Sequence, residues 1–539
     1  MGARMFRAGR LPYRDFYTHY GPLGYAALAP VLSAVHNFGV ALRLAQAVML
    51  AALAVLLLGA SRRGNGARPV RAGAAVPLAV LALSPAIALA SFEGFGFAAA
   101  TLLFYSVARA AGDSGRRIAV VLGGVMLAAT LLTRPAFAAY AAAAIFAAEL
   151  AGRGDHTPRS STRRVLVFLL AGTAAVLALW LLFFREIPPS VAIEATLTAP
   201  ARLIESGGRA IRPDFMSAPF PAPILFGGIL AAVPLFWWFS VRRGARILAV
   251  IAIAVGALTP VLFARSDWPP GRLAALAILQ FGLTAAIALR SAPALRDSPR
   301  LWSAALFGLG ASAFGHYFWS RPDQQHLFPL LALGAISAAF AFDRFGPAGR
   351  LLLVGIIAAA FVPVGPGRES GLPAASLWSG GWARVRENAA RPGARPLSIW
   401  PSGEVPSNAA AAVALADRLG GPSSRFVAFG SSQSWSSGNP VYLFLLSSRL
   451  PYTKWYAYDP GLQSSAPIQA LMIQDLESSG SATAVVWRAE QFLYDERAPA
   501  DLELRSAFDR EADQLFGRVI ERSGNYEVRT RFDPATPGP

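Results

Sequence analysis

Cysteine is absent from this chain of 539 residues, and charged residues make up only 15% of it. Without cysteine there is no disulfide framework, thiolate metal site or cysteine nucleophile, so any chemistry must use carboxylates, histidine, arginine, hydroxyls or a metal held by oxygen and nitrogen. Soluble globular proteins carry about a quarter of charged residues, so that class is excluded. The chain is 54% hydrophobic with a mean hydropathy of +0.44. The composition therefore predicts a polytopic membrane protein.

Acidic residues are also scarce, with 31 Asp and Glu against 49 Lys and Arg. The basic residues lie in short gaps between apolar runs, where they read as topology signals, so nucleic acid is excluded as the default partner. Residues 366–539 carry a net charge of −1, which leaves +19 on residues 1–365. This shift predicts a membrane domain over 1–365, a linker rich in Gly, Pro, Arg and Trp over 366–398, and a near-neutral domain over 399–539. Helical and strand patterns alternate in the last part, so we predict a small α/β domain there.

Apolar runs long enough to cross a bilayer recur along the first domain. They lie at about 40–60, 73–90, 94–111, 118–133, 135–151, 164–184, 223–240, 246–264, 271–290, 302–318, 326–342 and 350–364. Alternate gaps between them hold nineteen arginines, and the intervening gaps hold eight. The positive-inside rule makes the first set cytoplasmic and puts the C-terminal domain outside. The fold class predicted is an α-helical polytopic membrane protein of about twelve transmembrane helices with a small extracytoplasmic α/β domain.

The N-terminus has two readings. If the run at 40–60 enters from outside, the earlier apolar stretch Pro22–Phe38 either spans the membrane or lies on its outer surface as an interfacial helix. Charge alone prefers the spanning reading, because four arginines among the first 14 residues would then be inside. The 17-residue length, Pro30 and the polar end of the stretch suit an interfacial helix about as well.

Ionisable residues at the outer ends of spans are candidates for function, since they are expensive at a membrane edge. Glu93 is expected in a very short turn between two runs, where its carboxylate could accept a proton from a hydroxyl or bind a divalent cation such as magnesium or manganese. No other cofactor is predicted. Asp15 and His19 lie in an aromatic segment directly before an apolar helix, as in a membrane-surface active-site loop. A solvated turn for Glu93 and an aromatic belt for the segment are the plain alternatives.

Basic groups at other outer ends suit an anionic substrate. Arg321, Asp323 and His326 fall within one loop and offer a phosphate-binding guanidinium, a carboxylate and an imidazole. Arg134 stands alone between two short runs and suits a lipid phosphate. The alternatives are an arginine that reaches the interface with an acidic neighbour, and an accident of topology.

Several of these segments resemble the GT-C glycosyltransferases, which include the protein O-mannosyltransferases and the lipid A aminoarabinose transferase. Residues 9–16 (Gly-Arg-Leu-Pro-Tyr-Arg-Asp-Phe) and 21–25 (Gly-Pro-Leu-Gly-Tyr), followed by Gly39 and Arg43, look like the first outer loop of that superfamily. The motif Arg-x-Asp-x-x-His at 321–326 and the pattern at 439–456, followed by Pro460-Gly461, are similar to bacterial members. The resemblance extends over most of the chain, although each motif is short.

The resemblance implies a multispanning enzyme that moves a sugar from a polyprenyl-phosphate carrier to a glycan, lipid or protein acceptor on the outer side of the bacterial cytoplasmic membrane. It implies an interfacial helix at Pro22–Phe38, with residues 1–21 outside. The resemblance implies that Glu93 has a catalytic or metal-binding role, and that Asp15 lies in the stretch that follows the catalytic acid. Relatives begin with a spanning helix that ends in that acid, and this chain starts after that point. Either the true start lies upstream, which we favour, or Asp15 or Glu93 substitutes, or the chain is inactive.

Two other functions stay open. A transporter or flippase of lipid-linked glycans would place its ionisable groups at mid-membrane, whereas these acids lie at the ends of spans. A polymerase or ligase of surface polysaccharide is disfavoured because the longest outer gap inside the membrane domain is only 185–222. The main prediction is therefore a glycosyltransferase.

Overall fold

The computed structural model describes a defined part of the chain, and it divides into two compact units. The described residues are 2–18, 20–34, 92–110, 113–152, 158–198, 298–320, 407–420, 424–430, 441–447, 449–455, 466–487, 507–524 and 526–531, with isolated positions at 44–55, 285, 289 and 329–340. One unit comprises Met1–Leu42, Phe184–Ile211 and Gly380–Pro539, and the other comprises Arg43–Phe183 and Arg212–Ser379. We call them the mixed unit and the helical unit.

The helical unit is described through five long helices. They are α3 (Phe92–Ala110), α4 (Asp113–Leu131), α5 (Pro135–Ala151), α6 (Pro158–Phe183) and α8 (Pro299–Ser320). Helix α4 packs against α3, α5 and α6, and α8 packs against α3 and α5. Buried aromatic and alanine side chains fill the space between them, among them Phe95, Phe137 and Phe314. These five helices correspond to predicted runs at 94–111, 118–133, 135–151, 164–184 and 302–318.

Helix α6 differs from its neighbours in what it leaves uncovered. Among the described residues it contains the one helix segment long and apolar enough to cross a membrane, Ser161–Phe183, with a mean hydropathy of 2.6 and 11% of it buried. Leu170, Leu181 and Leu182 are 60–73% exposed along it. A face of exposed leucines of this length would be costly in water. The other seven predicted runs lie wholly or mostly outside the described residues, so the count of twelve stays a prediction.

The mixed unit joins an N-terminal helix pair to a C-terminal sheet. Helices α1 (Gly2–Arg7) and α2 (Leu23–Ala34) pack through Ala3 and Leu32, and the short α7 (Pro189–Ile193) runs into a π-helical turn over Glu194–Thr198. The remaining elements are α9 (Ser407–Gly420), β1 (Val427–Gly430), α10 (Val441–Leu446), α11 (Ala466–Glu477), β2 (Thr483–Trp487), α12 (Ala507–Leu515), β3 (Arg518–Ser523) and β4 (Tyr526–Thr530).

The sheet has the strand order β1-β2-β4-β3. Strands β1 and β2 are parallel, with Val427 opposite Ala484, and a crossover that contains α10 and α11 joins them. Strands β3 and β4 form an antiparallel hairpin, and β4 pairs antiparallel with β2. Helix α9 packs against β2, β3 and β4. Helices and strands alternate in the described residues of 399–539, as the sequence pattern predicted, while the domain limits 366–398 and 399–539 stay predictions.

Candidate active site

The aromatic segment near the N-terminus is a folded loop in the mixed unit. Phe16 is fully buried and meets the Tyr25 ring edge-on at 5.5 Å between centroids. The Thr18 hydroxyl shares a hydrogen bond of 2.7 Å with the Tyr25 hydroxyl. Tyr13 has a left-handed φ of 66°, which is unusual for a residue other than glycine, and its hydroxyl donates to the Tyr20 carbonyl at 2.8 Å. Packing and hydrogen bonds therefore hold this loop in one conformation.

Asp15 is engaged on several sides within that loop. Its Oδ2 accepts hydrogen bonds from the Leu11 amide at 2.8 Å and from Arg14 Nη2 at 2.9 Å. Arg14 also donates to Glu186 at 2.7 Å. Partial burial of Asp15 acts to raise the pKa of its carboxyl, but the hydrogen bonds and charge of Arg14, together with the Leu11 amide, hold that pKa below its usual value. A carboxylate with a lowered pKa is a weak base, so this geometry is typical of a loop-organising acid.

The N-terminal segment docks on the C-terminal part of the same unit. The Arg4 guanidinium donates to the carbonyls of Phe444 at 3.1 Å, Ser447 at 2.7 Å and Arg449 at 3.3 Å, around the end of α10. The Tyr17 amide donates to the Lys454 carbonyl at 2.7 Å, next to a tilted contact of the Tyr17 and Trp455 rings. The sequence motifs at 9–25 and 439–456 are thus in direct contact.

In the helical unit, the start of α3 lies against the residues that precede α5. A Cβ atom built on Gly94 would stand 2.9 Å from Arg134 Cβ, 3.4 Å from a ring carbon of Phe137 and 3.5 Å from Thr133 Oγ1. Only glycine permits this approach, because ordinary carbon contacts are about 3.5–4.0 Å. The structure therefore brings Gly94, the residue that follows Glu93, next to Arg134.

Glu93 itself corrects one expectation. It is the second residue of α3, whereas the sequence predicted a short turn there. A carboxylate in the first turn of a helix is stabilised by the helix dipole, so the helix begins before the apolar run does. The position of the Glu93 side chain lies outside the described residues, and its catalytic and metal-binding roles stay predictions.

Arg134 is held by aromatic rings. It immediately precedes α5, and its guanidinium carbon lies 4.6 Å from the Phe137 ring centroid and 4.8 Å from that of Tyr317 on α8. Contact with ring faces orients a guanidinium, whose N–H donors lie in its own plane. The arrangement suits a planar, bidentate contact with a phosphate.

Two polar features of this unit were not predicted. On the same side as Arg134, the Tyr140 hydroxyl forms a 2.9 Å hydrogen bond with His316 Nδ1. Near the other end of α5, the buried Glu149 carboxylate accepts hydrogen bonds from Tyr105 at 3.0 Å, from Arg164 at 3.3 Å and from the Ser161 hydroxyl. The sequence signal for His316 was a histidine inside an otherwise apolar and aromatic run.

Other predicted site residues lie outside the described residues, namely His19, Arg321, Asp323 and His326. Helix α8 ends at Ser320, so Arg321 follows in sequence the helix that carries Tyr317. Within the described part of the chain there is no cluster of three or more His, Asp or Glu that could hold a metal ion.

No family model and no curated protein matches the chain. Among solved structures, the chain is similar to ArnT from Cupriavidus metallidurans bound to undecaprenyl phosphate, at 15% identity and a TM-score of 0.43 over 100% of this chain and 93% of that one. It is also similar to apo ArnT, at 14% identity and a TM-score of 0.43 over 98% and 91% of the two chains.

A third likeness is to the oligosaccharyltransferase of Archaeoglobus fulgidus in a complex with zinc and sulfate. The identity is 12% and the TM-score 0.39, over 90% of this chain but only 63% of that one. The three structures named are thus those of ArnT and of an oligosaccharyltransferase, at 12–15% identity.

Proposed function

We propose that this protein is a glycosyltransferase of the bacterial cytoplasmic membrane that moves a hexosyl or pentosyl group from a polyprenyl-phosphate carrier to an acceptor on the outer face. The observation that carries the proposal is the close approach of Gly94 to Arg134. Gly94 follows Glu93 at the start of α3, and it approaches the Cβ atom of Arg134, whose guanidinium lies over two aromatic rings. Transfer of a sugar from a lipid phosphate to a hydroxyl needs a base that accepts the hydroxyl proton and a positive group that stabilises the phosphate.

In the proposed reaction, the acceptor hydroxyl attacks the anomeric carbon of the sugar. The bond from that carbon to the phosphate oxygen breaks, and the new glycosidic bond forms. Glu93 takes the hydroxyl proton, a role that typically contributes about 10²–10⁴-fold. Arg134, with the predicted contribution of Arg321, covers the charge that develops on the polyprenyl phosphate as it leaves.

The proposed topology rests on the charge alternation and on contacts inside the mixed unit. Arg14 pairs with Glu186, Phe6 meets the Phe184 ring, and Arg4 contacts the end of α10, so three segments far apart in sequence touch one another. Segments that touch lie on the same side of a membrane. Since arginine counts put the 185–222 loop and the C-terminal domain outside, residues 2–18 belong outside too.

The same contacts explain why arginines near the N-terminus do not act as inside signals. Arg4 donates hydrogen bonds to three backbone carbonyls, and Arg7 donates one to the Leu32 carbonyl at 3.0 Å. Arg14 forms ion pairs with Asp15 and Glu186. Each charge therefore has partners within the protein. Helix α2 has 12 residues and would rise only about 18 Å, against a hydrocarbon core of about 30 Å. These observations support the interfacial reading of this region.

The first experiment measures binding of farnesyl phosphate and of farnesol, which lacks the phosphate, to the purified protein. The ratio of the two affinities isolates recognition of the phosphate. Arg134→Ala should lower that ratio about tenfold or more, and Arg134→Lys should recover only part of it. The matched control is Arg109→Ala, because Arg109 also contacts an aromatic ring, Trp302 at 5.2 Å, but near the opposite ends of the helices.

A second experiment separates the functions left open. Membrane vesicles that contain the protein are supplied with polyprenyl-phosphate sugars and scored for loss of the sugar from the carrier. Release that depends on Arg134 and Glu93 is the expected result. Phosphate-dependent binding with movement of intact carrier across the bilayer, and without release of sugar, would instead establish a flippase and overturn the proposal.

A further inference from the structure

Strand β3 forms one edge of the sheet in the mixed unit. The order β1-β2-β4-β3 gives it a neighbour on one side only among the described strands. Residues 518–522 are exposed, and they include two large aliphatic side chains, Val519 at 36% and Ile520 at 45%. The outer side of an edge strand presents backbone N–H and C=O groups that can pair with another strand. Strand β3 therefore offers an extended segment a place to join the sheet.

An extra residue in β3 brings two opposite charges to the same face of the sheet. The register with β4 shifts between Val519 and Glu521, so Ile520 has no counterpart on β4. Arg518 and Glu521 are three residues apart, a spacing that places side chains on opposite faces of a regular strand. Here they lie opposite residues of β4 that are only two apart, and residues two apart share a face. Both charges therefore point to the same side of β3.

The sequence of β3 is complementary to itself when it is reversed. It begins with Arg518, Val519, Ile520 and Glu521. If a second copy of β3 lies antiparallel to the first, Arg518 of each copy stands opposite Glu521 of the other, with the two aliphatic residues between them. Opposite charges directly across two strands stabilise the pair, and like charges destabilise it. Within the described part of the chain, neither charge is used in an ion pair.

We propose that β3 is a dimerisation edge, which pairs antiparallel with β3 of a second copy of this chain. The twofold axis is normal to the sheet and passes between residues 519 and 520 of both strands, so the two four-stranded sheets become one. The contact is small, and freely diffusing copies would associate weakly through it. The predicted membrane spans confine the copies to a plane, which raises their effective concentration. This inference goes beyond the proposed function and does not depend on it.

The helix that covers this part of the sheet leaves room for the pairing. In the joined sheet the two β4 strands are three strand spacings apart, which is about 14 Å. Helix α9 packs against β2, β3 and β4, and a helix with its side chains is about 10–12 Å wide. The α9 helices of the two copies can therefore lie side by side on one face.

The absence of cysteine makes disulfide cross-linking a direct test. The full chain with Val519→Cys is oxidised in membrane vesicles, and the linked dimer is measured on a non-reducing gel. In the proposed register the Cα atoms of residue 519 in the two copies are about 6 Å apart, a distance that a disulfide can bridge. Ser523→Cys is the matched control on the same strand. Its two copies are more than about 20 Å apart, so it should link about tenfold less or not at all.

Charge reversal tests the register itself. In the Val519→Cys chain, Arg518→Glu or Glu521→Arg replaces two opposite pairs by two like pairs, so each should lower the linked fraction about tenfold. Both changes together restore the opposite pairs and should restore linking. A mixture of the two single-reversal chains should also link, because each supplies the charge that the other lacks. Arg418→Glu reverses an exposed arginine at the end of α9 and should leave linking unchanged.

Three results would overturn the inference. They are equal linking of Val519→Cys and Ser523→Cys, no linking of a Val519→Cys chain that melts like the wild type, and single reversals that leave linking unchanged or are not rescued by the double change. The proposed function stands or falls separately, on the ratio of farnesyl phosphate affinity to farnesol affinity. That ratio should be the same in the single-reversal chains as in the wild type.

Discussion

Replacement of Gly94 with alanine tests the contact on which the proposed site depends. The new methyl carbon would stand 2.9 Å from Arg134 Cβ, so the start of α3 and the residues before α5 must separate by about 0.6–1 Å to reach ordinary contact. Overpacking of this kind costs about 1–3 kcal/mol, and the better helix propensity of alanine returns up to about 1 kcal/mol. The free energy of unfolding should therefore fall by no more than about 3 kcal/mol.

The effect on the site should be larger than the effect on stability. A displacement of about 1 Å between groups that act together can cost up to about 10²-fold. We expect Gly94→Ala to lower the farnesyl phosphate to farnesol affinity ratio about tenfold or more, and sugar release at least as much. The assays are ligand binding in detergent and release of sugar in vesicles, each beside a thermal melt.

Gly310→Ala is the matched control for this change. A Cβ at Gly310 would stand 2.8 Å from Leu102 Cδ1, but that atom is the tip of a flexible side chain and can rotate away. The control also replaces a helical glycine with alanine and creates a similarly short contact, but with an atom that can move. It should therefore keep the wild-type ratio of farnesyl phosphate affinity to farnesol affinity. An unchanged ratio in Gly94→Ala would show that the start of α3 and Arg134 do not form one site.

Three further changes probe contacts within each of the two units. Asp15→Asn should lower the free energy of unfolding by about 0.5–1 kcal/mol at pH 7. The pKa of Asp15 is lowered in the folded state, so the difference between the wild type and the variant should be complete above about pH 4 and should disappear as the pH falls further. Glu149→Ala leaves Arg164 without its buried acid and should lower the unfolding free energy by about 3 kcal/mol, whereas the phosphate-to-alcohol affinity ratio should not change. Arg4→Ala removes three charge-assisted hydrogen bonds, so limited proteolysis between α1 and α2 should accelerate about tenfold or more, and Arg4→Lys should restore part of the protection.

The sequence predicted where helices occur better than where they begin. The run at 135–151 coincides with α5, yet α6 begins at Pro158, six residues before the predicted start at 164. Hydropathy detects the part of a helix that meets lipid, whereas the polar start of α6 is held by the hydrogen bond of Ser161 and the ion pair of Arg164 with Glu149. That pair joins residues of two helices, so no local pattern could indicate it.

For the site, too, the sequence indicated single residues but not the contacts between them. Glu93 and Arg134 stand out in the sequence because charges at the ends of apolar runs are rare. Their adjacency depends on Gly94, whose missing side chain matters only once α3 and α5 are packed. His316 escaped prediction because it falls inside an apolar run, and its hydrogen bond to Tyr140 joins helices that are far apart in sequence.

The hydrogen bonds from Arg4 to the end of α10 have a consequence for biosynthesis. Arg4 and Phe444 are 440 residues apart, so at about 5–20 residues per second a ribosome needs about 20–90 s between them. Over that interval the first loop has emerged but its docking partner does not yet exist. The mixed unit can therefore close only after synthesis is nearly complete. Until then the Tyr17 ring lacks its contact with Trp455, so this aromatic part of the first loop stays uncovered.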